Sequence, residues 1–535
     1  MPEFDRHQFE GRMEKPIQSK SIWYTGIFLL AVASLFTFRL WNLQIMHGDD
    51  NVKKAENNRL RQTPVFAERG LIYDRNKTLL AWNVPNEEDS NFSLRKYLDL
   101  SGLAHVLGYV KYPTKDSSGF YYREQLGGVD GIEGFYNKAL SGTNGLQIVE
   151  TNATGKVQSE SVINPPVHGE NLTLSIDAAV QNELYKQIVD LTQKVDFKGG
   201  AGVIMDVRTG EIIALTSDPE FSSQIMTDGK NRKAIDAYNK DTNHPFLDKA
   251  ISGLYTPGSI VKPFMALAAL QENIIDPAKK ILSTGSISIP NPYYPELKSV
   301  FRDWKALGWM DMRHAIAMSS DVYFYSVGGG YGDQKGLGIN LIDSYLKLFG
   351  FGADISSEFF HDKAGTIPTP EWKLANFNGD PWRLGNTYHT SIGQYGFQVT
   401  PIQAVRAVAS IANRGFLVEP TILTNQPVQK TPVPIDQKNF QIVHEGMRLG
   451  VTEGVVAILD VPFVKVAAKT GTAELGVSKS RVNSWVTGFF PYDNPHYAFA
   501  VIMESGSSSN NTRSSTFVMR GLLEWMSVNA PQYFK

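Results

Sequence analysis

Val464-Lys465-Val466-Ala467-Ala468-Lys469-Thr470-Gly471-Thr472 reads as a β-strand that carries polar chemistry toward its end, and Ala473-Glu474 follow it. β-Branched and small apolar residues lead into it, and a K-T-G-T string is expected by chance in about 1% of chains this long. Taken alone, such a string is usually an exposed strand with solvated Lys and Thr. Two upstream strings change that balance. Ser259-Ile260-Val261-Lys262 and Ser319-Ser320-Asp321 precede it, giving the order S-x-x-K, S-x-(N/D), K-T-G. That ordered triplet points to acyl transfer through a serine.

S-x-x-K alone is a weak signal, because it recurs at Ser93-Leu94-Arg95-Lys96 and Ser344-Tyr345-Leu346-Lys347. The first lies in a polar segment, and the second sits in an amphipathic helix where a solvated Lys is the default. Only Ser259 follows a turn, Tyr255-Thr256-Pro257-Gly258, that leads directly into a helix-forming run, Phe264 to Leu270. Ser259 is therefore expected at a helix N-terminus, where backbone N–H groups favour developing negative charge; the plain alternative is a helix cap. Lys262, three residues on, returns to the same face. Pro263 opposes this placement, since it biases Lys262 away from helical angles.

A serine hydroxyl is a poor nucleophile until a neighbour takes its proton. Lys262 can do so if burial or a second cation holds it neutral part of the time. Lys469 can supply that field, or bind a substrate carboxylate together with Thr470 or Thr472. Gly471 leaves room for a backbone to approach the strand. Ser319-Ser320-Asp321 is expected inside one helix, Met312 to Tyr325, between apolar runs, so its polar groups need partners. A hydrogen-bonded site with Lys262 answers that need.

The 535 residues predict two or three domains. With 52 basic against 54 acidic residues, the balance gives no reason to expect nucleic acid. Cysteine is absent, which excludes disulfides and thiolate chemistry. Residues 1–20 read as a polar tail. Residues 21–45 read as an uncleaved membrane anchor, running to Leu43 with Arg39 snorkelling and Trp23, Tyr24 and Trp41 at the interfaces. Lys and Arg flank both ends, so charge hardly orients it. Asn51 to Arg61 reads as a charged helix.

Residues 46–169 read as an irregular membrane-proximal domain. It holds two short strands about Asp74-Arg75-Asn76, loops at 86–92 and 112–119, and a short helix Glu133 to Leu140 closed by Gly142. Residues 170–535 read as the larger domain. Leu172 to Ile176 is expected as a strand, Asp177 as the N-cap of a helix Ala178 to Val189, and 201–207 with 211–216 as a hairpin. Strands Val464 to Ala468, Ser484 to Phe490 and Tyr497 to Met503 lie near the other end. Helices between terminal strands imply one antiparallel sheet covered by helices, an α+β fold.

These motifs, read with Thr256-Pro257-Gly258, Ser391-Ile392-Gly393-Gln394, Val399-Thr400-Pro401 and Lys469 to Glu474, resemble the class B penicillin-binding proteins over nearly the whole chain, including the anchor and Arg69-Gly70…Asp74-Arg75. Within that class the chain resembles the elongation-type branch, on Asp321 and on Arg302-Asp303-Trp304-Lys305; a division-type enzyme is the alternative. The resemblance implies a D,D-transpeptidase, penicillin-sensitive, that cross-links peptidoglycan stem peptides with release of D-alanine. It implies Ser259 as nucleophile, Lys262 as general base, and Ser319 as proton relay to the leaving D-alanine. Asp321 would orient Lys262, and Lys469 with Thr470 and Thr472 would hold the substrate carboxylate. The backbone N–H groups of Ser259 and Thr472 would form the oxyanion hole.

The partners implied are a D-Ala-D-Ala donor peptide, an amine acceptor, β-lactams and a SEDS-family glycan polymerase. The location implied is the plasma membrane, with one span and the catalytic domain outside. Three departures from the family stand out. Tyr395 replaces a usual Gly, the membrane-proximal region is short, and some relatives have a zinc site with a Cys ligand, whereas this chain predicts no metal and no cofactor. A β-lactamase, a D,D-carboxypeptidase and a non-catalytic β-lactam sensor are the rival readings. The stretch between anchor and catalytic domain is too short for a glycosyltransferase.

Overall fold

The structure, a computed structural model, describes residues 19–50, 60–117, 121–151, 157–291, 293–355, 359–360, 363–476, 478–508 and 513–535. It divides into two compact units, Met1–Val65 with Asn144–Pro166, and Phe66–Thr143 with Val167–Lys535. Residues 60–65 and 144–151 fall in the first unit, and 66–117 with 121–143 in the second. Most of the expected tail, and positions 51–59 of the expected charged helix, lie outside the described residues. Leu60 and Arg61 belong to a strand instead.

In the first unit, Ser19–Trp41 is a helix and Asn42–Met46 extends it as a π turn. The combined Ser19–Met46 segment is long and apolar enough to cross a membrane, and none of the helix's residues is buried, as they would be in a soluble core. A three-stranded antiparallel sheet of Leu60–Val65, Gly145–Thr151 and Val157–Asn164, with Gly145–Thr151 in the middle, completes this unit.

In the second unit, Ile72–Tyr73 and Leu79–Val84 flank the Asp74-Arg75-Asn76 turn as expected. That turn also caps a helix of the larger domain. Asp74 Oδ2 accepts from the Ala178 N–H at 3.2 Å, and Asn76 Nδ2 donates to Asp177 Oδ2 at 2.9 Å. Behind it Glu133, fully buried, accepts from both Arg69 Nε at 2.5 Å and Arg95 Nε at 2.7 Å. Removing one partner of a buried pair typically costs about 3–5 kcal/mol, so this cluster fixes the local fold. The helix expected over Glu133 to Leu140 is two shorter ones, Gly131–Phe135 and Asn137–Ser141, closed by Gly142 at φ +62°. The expected strand Leu172 to Ile176 shrinks to Leu172–Thr173 and pairs in parallel with Ile72–Tyr73. Leu174 N–H still donates to Tyr73 O, and the chain then leaves this strand, with Ser175 N–H donating to Ile422 O.

The larger domain is built on five strands, β1 Gly199–Asp206, β2 Ile212–Asp218, β3 Ala467–Leu475, β4 Arg481–Phe490 and β5 Tyr497–Ser507. Their order is β2-β1-β5-β4-β3, antiparallel throughout, with β3 at an edge. Every residue of β1 and β2 is buried, because helices cover both faces and both sets of alternating side chains need apolar surroundings. Ile204, Val486, Phe499 and Val501 join one core, against α1 (Ala178–Lys194) and Leu522, Leu523 and Met526 near the C-terminus. Val203, Met205, Trp485, Ala500 and Ile502 join the other.

Asp177 caps α1 by accepting from Ala179 and Val180 N–H groups, as its sequence position predicts, and α1 runs on to Lys194. Between the sheet's two halves of sequence lie α2 (Lys262–Gln271), with all residues from Lys262 to Leu270 buried, α3 (Met312–Met318) and α4 (Asp321–Gly329). Short hairpins, such as Ser286–Pro290 with Lys298–Arg302, interrupt this helical middle.

Candidate active site

Ser259 stands on one 3-10 turn, Gly258–Val261, that runs straight into α2. Lys262 is helical at φ −57°, ψ −38°, despite Pro263. Pro263 lies in the first turn of α2, where a missing N–H costs no hydrogen bond, and burial of the whole helix overrides the local bias. The turn is held from two sides. Gly258 N–H donates to Gly393 O at 2.9 Å, and Trp485 Nε1 on β4 donates to Thr256 O at 3.0 Å. A Cβ on Gly393 would lie 2.1 Å from the Gly258 carbonyl oxygen, so S-I-G-Q needs its glycine for this contact.

Gly471 has a similar role. Its Cβ would meet Pro257 O at 2.5 Å and Ile260 Cγ2 at 2.9 Å, so the backbone that approaches this strand is the chain's own serine turn.

The helix expected from Met312 to Tyr325 is broken. Ser319 adopts left-handed angles, φ +59°, ψ +40°, ending α3, and Ser320 caps α4 by accepting from the Tyr323 N–H. The break turns Ser319 and Asp321 toward two lysines. Lys262 Nζ donates to Ser319 O at 2.7 Å, to Ser319 Oγ at 3.2 Å and to Asp321 Oδ1 at 2.6 Å. Lys469 Nζ, reaching in from β3, donates to Ser319 Oγ at 2.8 Å and to Thr470 O at 2.9 Å. Both lysines are buried, at 0% and 1% exposure, so their charges act through a low dielectric. Burial, and then the charge of Lys262, pushes the Lys469 ammonium well below the usual lysine range, while Asp321 opposes the shift. Lys262 has a carboxylate partner at contact distance, and among the described residues Lys469 does not.

Ser259, half-buried, makes no side-chain hydrogen bond to this network among the described residues, while the other four predicted catalytic side chains are joined in it. Thr470 is half-buried and Thr472 exposed on the same strand. Thr472 O accepts from Gln394 Nε2 at 3.3 Å, on the side of β3 away from β4. The N–H and C=O of one strand residue point to the same side, so the Thr472 N–H faces that open edge too. There it adjoins Gly258, whose Cβ would stand 2.7 Å from Thr472 O.

Sequence reasoning missed three supporting residues. Asp303 accepts from Ser320 Oγ, Trp304 donates to the Met318 carbonyl, and Gln394 reaches β3. Asp303 and Trp304 lie inside the quoted R-D-W-K string and Gln394 inside S-I-G-Q, but neither string says what it touches. Tyr395, at φ +65°, sets its ring among Trp372, Phe377 and Trp382, at centroid distances of 6.0, 6.0 and 5.8 Å.

The geometry has counterparts among known proteins. The family model described as "Penicillin binding protein transpeptidase domain" matches residues 200–524, and "Penicillin-binding Protein dimerisation domain" matches residues 91–174. The chain is 29% identical to the peptidoglycan D,D-transpeptidase MrdA of Acinetobacter baumannii, over 90% of this chain and 83% of the relative. It is 30% identical to MrdA of Haemophilus influenzae, over 86% of this chain and 74% of the relative. The crystal structure of Pseudomonas aeruginosa PBP2 in complex with WCK 5153 superimposes with a TM-score of 0.72 at 26% identity, covering 89% of this chain and 98% of that one. This chain belongs to the penicillin-binding protein transpeptidase family.

Proposed function

We propose that this protein is an elongation-type peptidoglycan D,D-transpeptidase, working through an acyl-enzyme on Ser259. The observation that carries the reading is the convergence of two buried lysines, Lys262 and Lys469, on Ser319 Oγ beside the Ser259 turn. The relatives named peptidoglycan D,D-transpeptidase support it at 29% and 30% identity.

In this reading the donor stem peptide lies along the open edge of β3, as an added strand. Its terminal carboxylate meets Lys469, Thr470 and Thr472, and its scissile carbonyl sits over Ser259. The carboxylate supplies the negative charge that Lys469 otherwise lacks and keeps its ammonium protonated. Lys262, acting as general base, takes the Ser259 proton. The Ser259 oxygen bonds to the carbonyl carbon, and the oxyanion is met by the N–H groups of Ser259 and Thr472, donors worth about a hundred- to a thousandfold each. Collapse breaks the peptide bond; the leaving D-alanine nitrogen takes its proton through Ser319, with Asp321 orienting Lys262. The acceptor amine then attacks the ester, gives up a proton along the same route, forms the cross-link and frees Ser259. A β-lactam enters the first half and stays as the ester.

We further read residues 46–169 as a pedestal and 170–535 as the catalytic domain. The Ser19–Met46 helix is read as a single span with the catalytic domain outside the membrane. A membrane-embedded glycan polymerase of the SEDS family is the partner that would deliver nascent strands within reach of Ser259. The test is a coupled assay on polymerised, uncross-linked glycan with the full chain. Cross-linked dimer with stoichiometric D-alanine supports the proposal. D-alanine without dimer marks a carboxypeptidase, and rapid turnover of penicillin marks a β-lactamase.

A further inference from the structure

Ser319 receives both lysines, yet it holds a left-handed backbone conformation that a residue with a Cβ adopts at a cost. Neighbours must impose such a conformation. Two consecutive residues from outside both helices grip the chain on either side of it. Trp304 Nε1 donates to Met318 O at 3.1 Å, one residue before Ser319. Asp303 Oδ2 accepts from Ser320 Oγ at 2.8 Å and from Val322 N–H at 3.1 Å, just after it. Asp303 is itself buried and fixed: Ser283 Oγ donates to the same oxygen at 3.0 Å, Trp304 N–H to the other oxygen at 3.0 Å, and Asp303 N–H reaches Gly285 O at 2.9 Å.

We propose that Asp303 and Trp304 are positioning residues for serine acylation, clamping the Met318–Ser320 corner so that Ser319 presents both its carbonyl and its hydroxyl oxygen to the lysines. The inference deepens the transpeptidase reading and rests on it. An ordinary helix cap would explain the Val322 and Ser320 bonds alone. It leaves the Trp304–Met318 bond unexplained, and that bond grips the other helix. The helix that Asp303 caps begins with Asp321, the partner of Lys262. Loosening the corner therefore displaces three of Lys262's contacts at once: Ser319 O, Ser319 Oγ and Asp321 Oδ1. Neither clamp residue needs to touch substrate for this.

The test measures acylation of the full chain by a fluorescent penicillin, separating the non-covalent dissociation constant from the first-order acylation rate, with melting temperature followed in parallel. Asp303→Asn removes the charged acceptor; Trp304→Phe keeps an aromatic ring while removing the indole N–H, and because Trp304 is largely exposed it stays informative if the first variant folds poorly. The acylation rate should fall about tenfold or more in Asp303→Asn and about threefold in Trp304→Phe, the scale of one charged and one neutral hydrogen bond. The dissociation constant should stay within about twofold in both. Ser283→Ala removes one of the bonds that fix Asp303 and leaves Asp303's own bonds to the corner in place, so it should slow acylation by less than Asp303→Asn. The clamp is overturned if both variants acylate at the wild-type rate, if the loss lies in the dissociation constant, or if Ser283→Ala is as slow as Asp303→Asn. In each of those cases an intact wild-type adduct leaves the transpeptidase reading standing. A wild type that does not acylate at Ser259 overturns that reading and the clamp with it.

Discussion

Lys469 and Lys262 aim their ammonium groups at one oxygen atom, the Ser319 hydroxyl, at 2.8 and 3.2 Å. Two buried cations sharing an acceptor, with one carboxylate between them, cannot both hold their protons as easily as free lysines do. Burial first, and then the charge of Lys262, depresses the Lys469 ammonium, which makes Lys469 a pH-sensitive group of the site.

Capture of anionic ligands should therefore weaken on the alkaline side sooner than lysine chemistry in water would suggest. A depressed ammonium loses its charge as pH rises through its lowered pKa, so the second-order acylation rate with penicillin should show a basic limb well below the usual lysine range. Lys469→Arg keeps its charge and should move that limb to higher pH, at a lower absolute rate. A rate flat to the ordinary lysine range in the native protein would reassign the carboxylate-binding role.

Lys262 and Lys469 should fail differently when truncated. Lys469→Ala removes the carboxylate's partner and should raise the dissociation constant for penicillin. Lys262→Ala should leave binding largely intact and slow acylation by at least about a hundredfold, the usual scale of general-base loss. Stopped-flow separation of the two constants checks this; the same binding defect in both variants would show the roles are wrongly divided.

Gly471→Ala should disturb the unliganded protein. The added methyl meets the Pro257 carbonyl oxygen at 2.5 Å and must push the serine turn away from β3. Overpacking of this kind costs about 1–3 kcal/mol, so the melting temperature should fall along with acylation. An unchanged melting temperature with slow acylation would return Gly471 to a purely substrate-facing role.

Two buried histidines set an acid limit on stability. His105 donates to Pro245 O and His444 to Ile411 O, and burial lowers each to about 4. A depressed folded-state pKa means the unfolded chain binds the proton first, so stability is intact above about 6.5 and declines as pH falls toward about 4. Each histidine accounts for about 3 kcal/mol over that window. Glu220 and Asp248, raised to about 7 by burial, act in the opposite direction over the same window. Urea melts at pH 7 and pH 4.5 should therefore show the histidine contribution as a difference, with stability declining less toward acid in His444→Asn than in the native protein.

Much of the framework was legible from local patterns. The hairpin over 201–216, the strands Ser484 to Phe490 and Tyr497 to Met503 and the Asp177 cap depend on alternation and on side chains that serve their own neighbours, so the sequence carries them directly. By contrast, the strand expected over Val464 to Ala468 begins only at Ala467 and runs on to Leu475. The break at Ser319 was not legible. Apolar runs on both sides predict one continuous helix, and the left-handed angles are imposed by Asp303 and Trp304, which local reading of the helix does not include. Lys262 shows the reverse case: Pro263 argued against helical angles, and burial of α2 overrode it. Leu172 to Ile176 alternated like a strand of the main sheet, but its backbone partners are Tyr73 and Ile422, choices that only the tertiary fold makes.

Mapping the residue that penicillin modifies tests the central claim most directly. Intact-mass analysis of the full chain after treatment should show one adduct, and peptide mapping should place it on Ser259 within Tyr255-Thr256-Pro257-Gly258-Ser259-Ile260-Val261-Lys262. Ser259→Ala should abolish the adduct, while Ser93→Ala and Ser344→Ala should retain it. Persistent labelling of Ser259→Ala would contradict the account.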